Sequence, residues 1–153
     1  MPADVVLAPI YVAMKALMVA TAPLTALLAT KPLGGPAIYD EGAVAQGAAM
    51  PYLTIGAGTQ VPWHTMGVVG SARYGWNCTL QIKAAGQGTE ASGLAIMSQV
   101  AALFHDGKEL SLAGYGSSWA EEFTLQPTIV TTLAGVTTRE WPAILRVLAH
   151  DTL

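Results

Sequence analysis

Chemistry in this chain would have to come from a short inventory: three histidines, one cysteine, the hydroxyl pairs Ser117-Ser118 and Thr131-Thr132, the acid pair Glu121-Glu122 and the turn Gly86-Gln87-Gly88. His64, His105 and His150 are far apart, and none stands with another His, Asp or Glu at the close spacing a helical metal site uses. His105-Asp106 comes nearest and fits a polar helix end, where the macrodipole favours an imidazolium. Cys78 would need a base beside it to act as a nucleophile, yet it falls on the apolar side of an alternating segment, the place of a small buried hydrophobe. Ser117-Ser118 and Thr131-Thr132 lack the Gly-x-Ser-x-Gly turn that exposes a hydrolase serine. Gly86-Gln87-Gly88 lacks both the dinucleotide fingerprint spacing and the Gly-Lys-Ser/Thr of a P-loop, and reads as a strand-to-helix turn. Catalytic, cofactor-binding and metal-ligating residues are therefore assigned to none, and no enzyme activity is expected.

Glu121-Glu122 sits inside a predicted strand, where adjacent side chains point to opposite faces, so the two cannot work as a general acid/base couple. One of them would face solvent or the lumen of an oligomer. Pro62-Trp63-His64-Thr65-Met66-Gly67-Val68-Val69-Gly70 places a large aromatic, a methionine and two valines in a predicted loop. Long loops in compact domains are usually functional or disordered, and Trp and Met are enriched at interfaces. Trp63, Met66, Val68 and Val69 are the candidate subunit contact. A competing arrangement has Trp63, His64 and Trp76 lining a ligand pocket.

The elements that must position these residues follow from periodicity. Pro9 suits the first turn of a helix that continues through Ile10, Ala13, Met14, Leu17 and Met18 on one face, with a second short helix from Leu24 to Leu28. Val5 to Ala29 has about the length of a membrane span, but Pro9, Pro23 and a central Lys15 argue for an alanine-rich helix outside lipid, and Asp4 without a basic residue argues against a secretory signal. Lys31 to Pro36 is a loop. Tyr52 to Thr59 reads as a strand, Gln60 to Ala72 as a loop, and Arg73 to Lys83 as the clearest strand, with Tyr74, Trp76, Cys78, Leu80 and Ile82 alternating against polar neighbours. Thr89 is the N-cap of a helix from Glu90 to Asp106 with Leu94, Met97, Ala101 and Phe104 in register, and Gly107 is its stop. A brief strand or turn at Leu110 to Leu112, a longer strand from Tyr115 to Leu125 and a loop from Pro127 to Gly135 follow. From Thr137 to Leu148 the capping-box spacing of Thr137 and Glu140, and the common face of Trp141, Ile144, Leu145 and Leu148, favour a helix, against which Pro142 stands.

A chain of 153 residues is the size of one domain, taken here as residues 1–153. Charged residues are only 11% and hydrophobic ones 52%, with mean hydropathy +0.45, so other subunits or lipid would have to cover part of the surface. The net charge of -3 comes with scattered cations, which excludes a DNA grip through phosphates. A single cysteine excludes an intramolecular disulfide.

The block Ile38-Tyr39-Asp40, Ala45-Gln46-Gly47-Ala48-Ala49-Met50 and Pro51-Tyr52-Leu53-Thr54-Ile55-Gly56 resembles the tail completion or tail terminator family of long-tailed bacteriophages and phage-like particles. The likeness extends through Leu24 to Leu28, the Trp76 strand, Leu103-Phe104-His105 and the closing segment. It departs from the family in an apolar rather than charged Val61 to Gly70 loop and in lacking an arginine-rich closing strand. The resemblance implies an α+β domain with an antiparallel β-sheet of about four strands, packed with an N-terminal and a mid-chain helix, and a closing strand over 137–148. It implies a homo-oligomer, a hexameric ring at the head-proximal end of a virion tail made in the bacterial host cytoplasm. Its partners would be the tail tube protein, a head-tail connector or stopper protein, and DNA passing through the lumen without specific binding, with no cofactor and no membrane. Glu121 and Glu122 are then the candidate lumen-facing acids. The alternatives are a connector protein of the same particle or, from another class, a small ligand-binding domain or enzyme.

Overall fold

The computed structural model describes residues 6–64, 73–105 and 107–151. Helix α1, Leu7–Ala20, buries Ile10, Met14 and Met18, a four-residue repeat that Val6 continues backwards. Pro9 lies in its first turn, where the missing N–H leaves no intrahelical bond unmade. The Val6 amide donates to Gln60 Oε1 at 3.0 Å, fastening the helix entry to the sheet. Thr21 ends α1, its hydroxyl donating to the Leu17 carbonyl at 2.7 Å, and α2, Ala22–Thr25, has Pro23 in its first turn. No helix of the described residues is long and apolar enough to cross a membrane.

The strands are β1 (Ile38–Asp40), β2 (Tyr52–His64), β3 (Arg73–Gly86), β4 (Lys108–Leu110), β5 (Tyr115–Leu125), β6 (Ile129–Leu133) and β7 (Val136–Asp151), with α3 (Glu90–Leu103) between β3 and β4. They form one seven-stranded sheet in the order β1-β2-β3-β7-β5-β4, with β6 also paired to β7. The α+β class stands, but the expectation of about four strands is corrected to seven among the described residues, and the sheet is antiparallel except for the parallel β1–β2 pair. The closing segment is a strand, as the family resemblance implied and against its local helical signals. β7 lies between β3 on one side and β5 and β6 on the other, and a segment with ladders on both sides is held extended by its neighbours.

Several boundaries move: α2 spans Ala22–Thr25 instead of Leu24 to Leu28, and β3 runs on to Gly86. β2 continues past Thr59 to His64, because Val61↔Asn77, Pro62↔Trp76 and Trp63↔Gly75 pair it with β3. The run crosses a bulge between Gly56 and Thr59, where Gly58 comes so close to the Thr79 carbonyl that a Cβ would overlap it. The expected brief strand at Leu110 to Leu112 is instead β4, Lys108–Leu110. The predicted loop from Pro127 to Gly135 contains β6. It forms a hairpin with β7 through Leu133↔Val136, closed by Ala134 and Gly135 at φ 51° and 79°. Positive φ at both central positions is what a type I′ turn demands.

The Thr89 N-cap and the β3 alternation from Trp76 to Ile82 are as predicted, whereas the expected stop at Gly107 is not the C-cap, which is Phe104. Thr89 Oγ1 accepts from the Ser92 amide at 3.3 Å, and Trp76, Cys78, Leu80, Ile82 and Ala84 are buried. Helix α3 ends at Leu103, three residues short of Asp106, with Gly107 beyond it at φ 77°. Its buried face is Gly93, Ile96, Met97 and Val100, so that of the expected stripe Met97 and Phe104 are buried, Ala101 is half-buried and Leu94 is exposed. The face is set by Trp141 of β7, whose indole lies against Gly93 so closely that a Cβ there would overlap the ring. Both helices contribute to one hydrophobic cluster with the alternate residues Trp141, Ala143, Leu145, Val147 and Ala149 of β7. The intervening residues of β7 lie on the opposite face of the sheet, which no helix of the described residues covers.

Candidate assembly surfaces

The residues considered for chemistry are dispersed. Cys78 is fully buried in the middle of β3, and that desolvation pushes its thiol from 9.0 up to about 12. Such a thiol is neutral and inert at physiological pH. His150 sits edge-on to Trp119, ring centroids 4.7 Å apart, while His105 follows the end of α3. Among the described residues there is no group of three or more His, Cys, Asp or Glu that could hold a metal ion. Trp76 is buried in the core. The side chains of Trp63 and His64 lie outside the described residues, as do Met66, Val68 and Val69.

Glu121 and Glu122 do come together, contrary to the expectation from strict alternation. The β5–β7 register shifts between Ala120 and Glu122, so one residue of β5 is unpaired at the bulge. The bulge turns both carboxylates onto Arg146: Glu121 Oε2 is 2.8 Å from its Nε and Glu122 Oε2 is 3.3 Å from its Nη2. The cluster occupies the helix-free face, beside Asn77 and Leu148. Lys83 and Glu140, 3.4 Å apart, lie on the same face. Two cations against three carboxylates leave this face slightly acidic. All five side chains are part-exposed, so the pairs contribute little to stability.

Three further surfaces were not legible as sites. The first is the β6–β7 hairpin. Every residue of β6 is exposed, with Leu133 at 78%, Val130 at 56%, Ile129 at 50% and Val136, across the turn, at 49%. No charged residue occurs from Phe123 to Thr138. A contiguous apolar arm of this kind marks an interaction surface. The second is a groove of about 400 Å³ between α1 and the outer edge of β2, with Leu7, Tyr11, Val12, Ile55 and Leu80 in its walls and the acids Asp40 and Glu41 at the end of β1 beside them. It opens where β1 stops, because β1 covers only Leu53, Thr54 and Ile55 of that edge. The Tyr11 hydroxyl is buried without a hydrogen-bond partner among the described residues. The third is a cleft of about 860 Å³ between the Val44 to Tyr52 segment and the start of α3, with Gly86, Gly88 and Trp141 in its wall.

A two-layer α+β domain with an uncharged arm at one side of its sheet and an apolar groove at the other belongs to the class of proteins built to assemble. The sequence model of the family "Tail completion protein gp17" matches residues 12–123, and the chain belongs to that family. It is a family of structural virion proteins and not an enzyme family, so the role is structural, in a virion tail. Among solved structures, a chain from "Virion of native gene transfer agent (GTA) particle" superposes with a TM-score of 0.69 at 18% identity, covering 97% of this chain and 100% of that one. At that identity the likeness is one of fold. No curated protein matches the chain.

Proposed function

We propose that this protein is a tail terminator: a homo-oligomeric ring, a hexamer, seated at the head-proximal end of a phage or phage-like tail, where it stops tube polymerisation and joins the tail to the head. The observation that carries the reading is membership of the tail completion family in a chain whose exposed surface is unsuited to a lone copy, with an uncharged arm and an apolar groove on opposite sides of one sheet. The similar fold of a chain from a gene transfer agent virion supports it. A heterologous contact that closes buries two patches per subunit, which accounts for 11% charged residues on so small a chain. The mechanism is steric: one face of the ring matches the stacking surface of the tube protein and the other does not propagate it. The other face meets the connector or stopper protein.

In this reading the acidic side of the sheet, with Glu121 and Glu122 held on Arg146, lines the lumen, where like charge keeps passing DNA from adhering. The segment with Trp63, Met66, Val68 and Val69 supplies a further subunit contact. The test is the mass of the purified protein by light scattering, with negative-stain images of the same fraction, alone and with added tube protein. Closed rings of about six copies are expected. The Trp63→Ala, Met66→Ala double variant should keep its circular dichroism and yield fewer rings. A chain that stays monomeric in both conditions overturns the terminator reading.

A further inference from the structure

Two surfaces at opposite sides of one sheet have complementary deficits. The arm carries the edge strand β6, five residues Ile129-Val130-Thr131-Thr132-Leu133, with β-branched side chains, no charge, no proline and no neighbour on its outer side among the described residues. Natural edge strands are blunted by lysine, proline or a bulge, and this one has none of these. The groove has the reverse character. From Gly56 to Thr59 the outer edge of β2 has no strand beside it among the described residues, because the edge strand β1 ends at Asp40. Val12 of α1 and Val61 of β2, both more than half exposed, stand along it. Gly56 lies under the Glu41 carboxylate and Gly58 against the Thr79 carbonyl of β3, while the Tyr11 hydroxyl, without a hydrogen-bond partner among the described residues, lies in the groove wall.

From this geometry we infer that β6 of one copy adds as a strand to the edge of β2 in the next copy, laying Ile129, Val130 or Leu133 into the groove between α1 and β2. The occupant is a second copy of this chain because each copy offers one arm and one groove, on different edges of the same sheet. Such a contact is heterologous, so it repeats head to tail and consumes every exposed arm when the series closes. Main-chain bonds supply the adhesion and the groove supplies the register, as in other strand-addition complexes. The inference rests on the ring reading above and specifies which surfaces close it.

A disulfide scan tests it on the full chain. Thr59→Cys, exposed on the β2 edge, is combined in turn with Val130→Cys, Thr131→Cys and Thr132→Cys. Within one copy β6 and β2 are separated by β7 and β3, roughly 14 Å at the ~4.8 Å strand spacing, beyond the ~7 Å that a disulfide can bridge. Oxidation of the purified assembly should therefore give a ladder of covalent oligomers larger than dimers on a non-reducing gel for at least one pair. The Thr59→Cys single variant should give no species beyond a dimer. In parallel, Val130→Glu with Leu133→Glu, both already in solvent, should keep the fold and reduce the assembly to monomer. If the protein forms rings, yet no pair cross-links and the glutamate variant assembles normally, the strand-addition contact is refuted while the terminator reading stands. Monomer throughout, with tube protein present, refutes both.

Discussion

Replacing Gly93 with alanine separates two effects of opposite sign. In an exposed helix interior the change would stabilise by about 1 kcal/mol, because glycine loses more backbone freedom on folding. Here the new methyl would overlap Cε2, Cδ2 and Cζ2 of Trp141. The indole is 1% exposed and packed on Gly93, so it can make room only by turning toward the cleft whose wall it shares with Gly86 and Gly88. Overpacking of a well-filled core costs about 1–3 kcal/mol and more when the neighbour is rigid. Taking the upper end and subtracting the helical gain gives a net loss of about 2 kcal/mol, or a fall in Tm of about 4–8 °C for a chain of this length. Urea unfolding at one fixed protein concentration measures it, since assembly adds a concentration term. The control is the same change in a Trp141→Leu background, itself destabilised by about 3 kcal/mol, where Gly93→Ala should become neutral or stabilising. An equal effect of Gly93→Ala in both backgrounds would refute the account in which Trp141 sets the face of α3.

The Cys78 thiol is held neutral by burial, so the unfolded chain releases its proton near pH 9.0 while the folded one keeps it to about 12. Stability from this group is intact below pH 9.0 and falls as pH rises from there toward about 12, and Cys78→Ala should flatten that alkaline loss in a pH series of urea midpoints. At pH 8, native protein should resist alkylation by iodoacetamide and label once unfolded; rapid labelling of the native form would contradict the burial. Exchanging Glu121 and Glu122 for lysine puts three cations together at Arg146. Because the cluster is part-exposed, ring yield should be unchanged while DNA passage slows, and undiminished transfer or infectivity counts against the lumen assignment.

Local rules were legible where local physics decides. The alternation from Trp76 to Ile82, the Thr89 cap and the four-residue stripe of α1 are each enforced by a single element's period. Legibility failed where a distant partner decides. The face of α3 is turned by Trp141, some fifty positions away, and no period in α3 announces it. β6 was hidden by Pro127 and by a turn whose first residue is alanine, a type that rarely accepts positive φ. The pairing of Glu121 with Glu122 depends on one inserted residue in a ladder, which alternation treats as absent. The groove draws on α1, the β1 end, β2 and Leu80, so it exists only after the sheet is assembled.

The place of β7 in that sheet has a temporal meaning. Translation delivers β3 and β5 before the strand that joins them, so a nascent chain reaching Gly135 holds two partial sheets with nothing between their inner edges. Contacts of this sequence separation form late, and the open edges are a hazard until they do. The groove is built from residues made early, whereas the arm includes the beginning of β7 itself. A copy cut short before its last strand therefore lacks both the strand that joins the two partial sheets and the second half of the arm. Completion of the sheet and completion of the arm are thus one event, the arrival of β7.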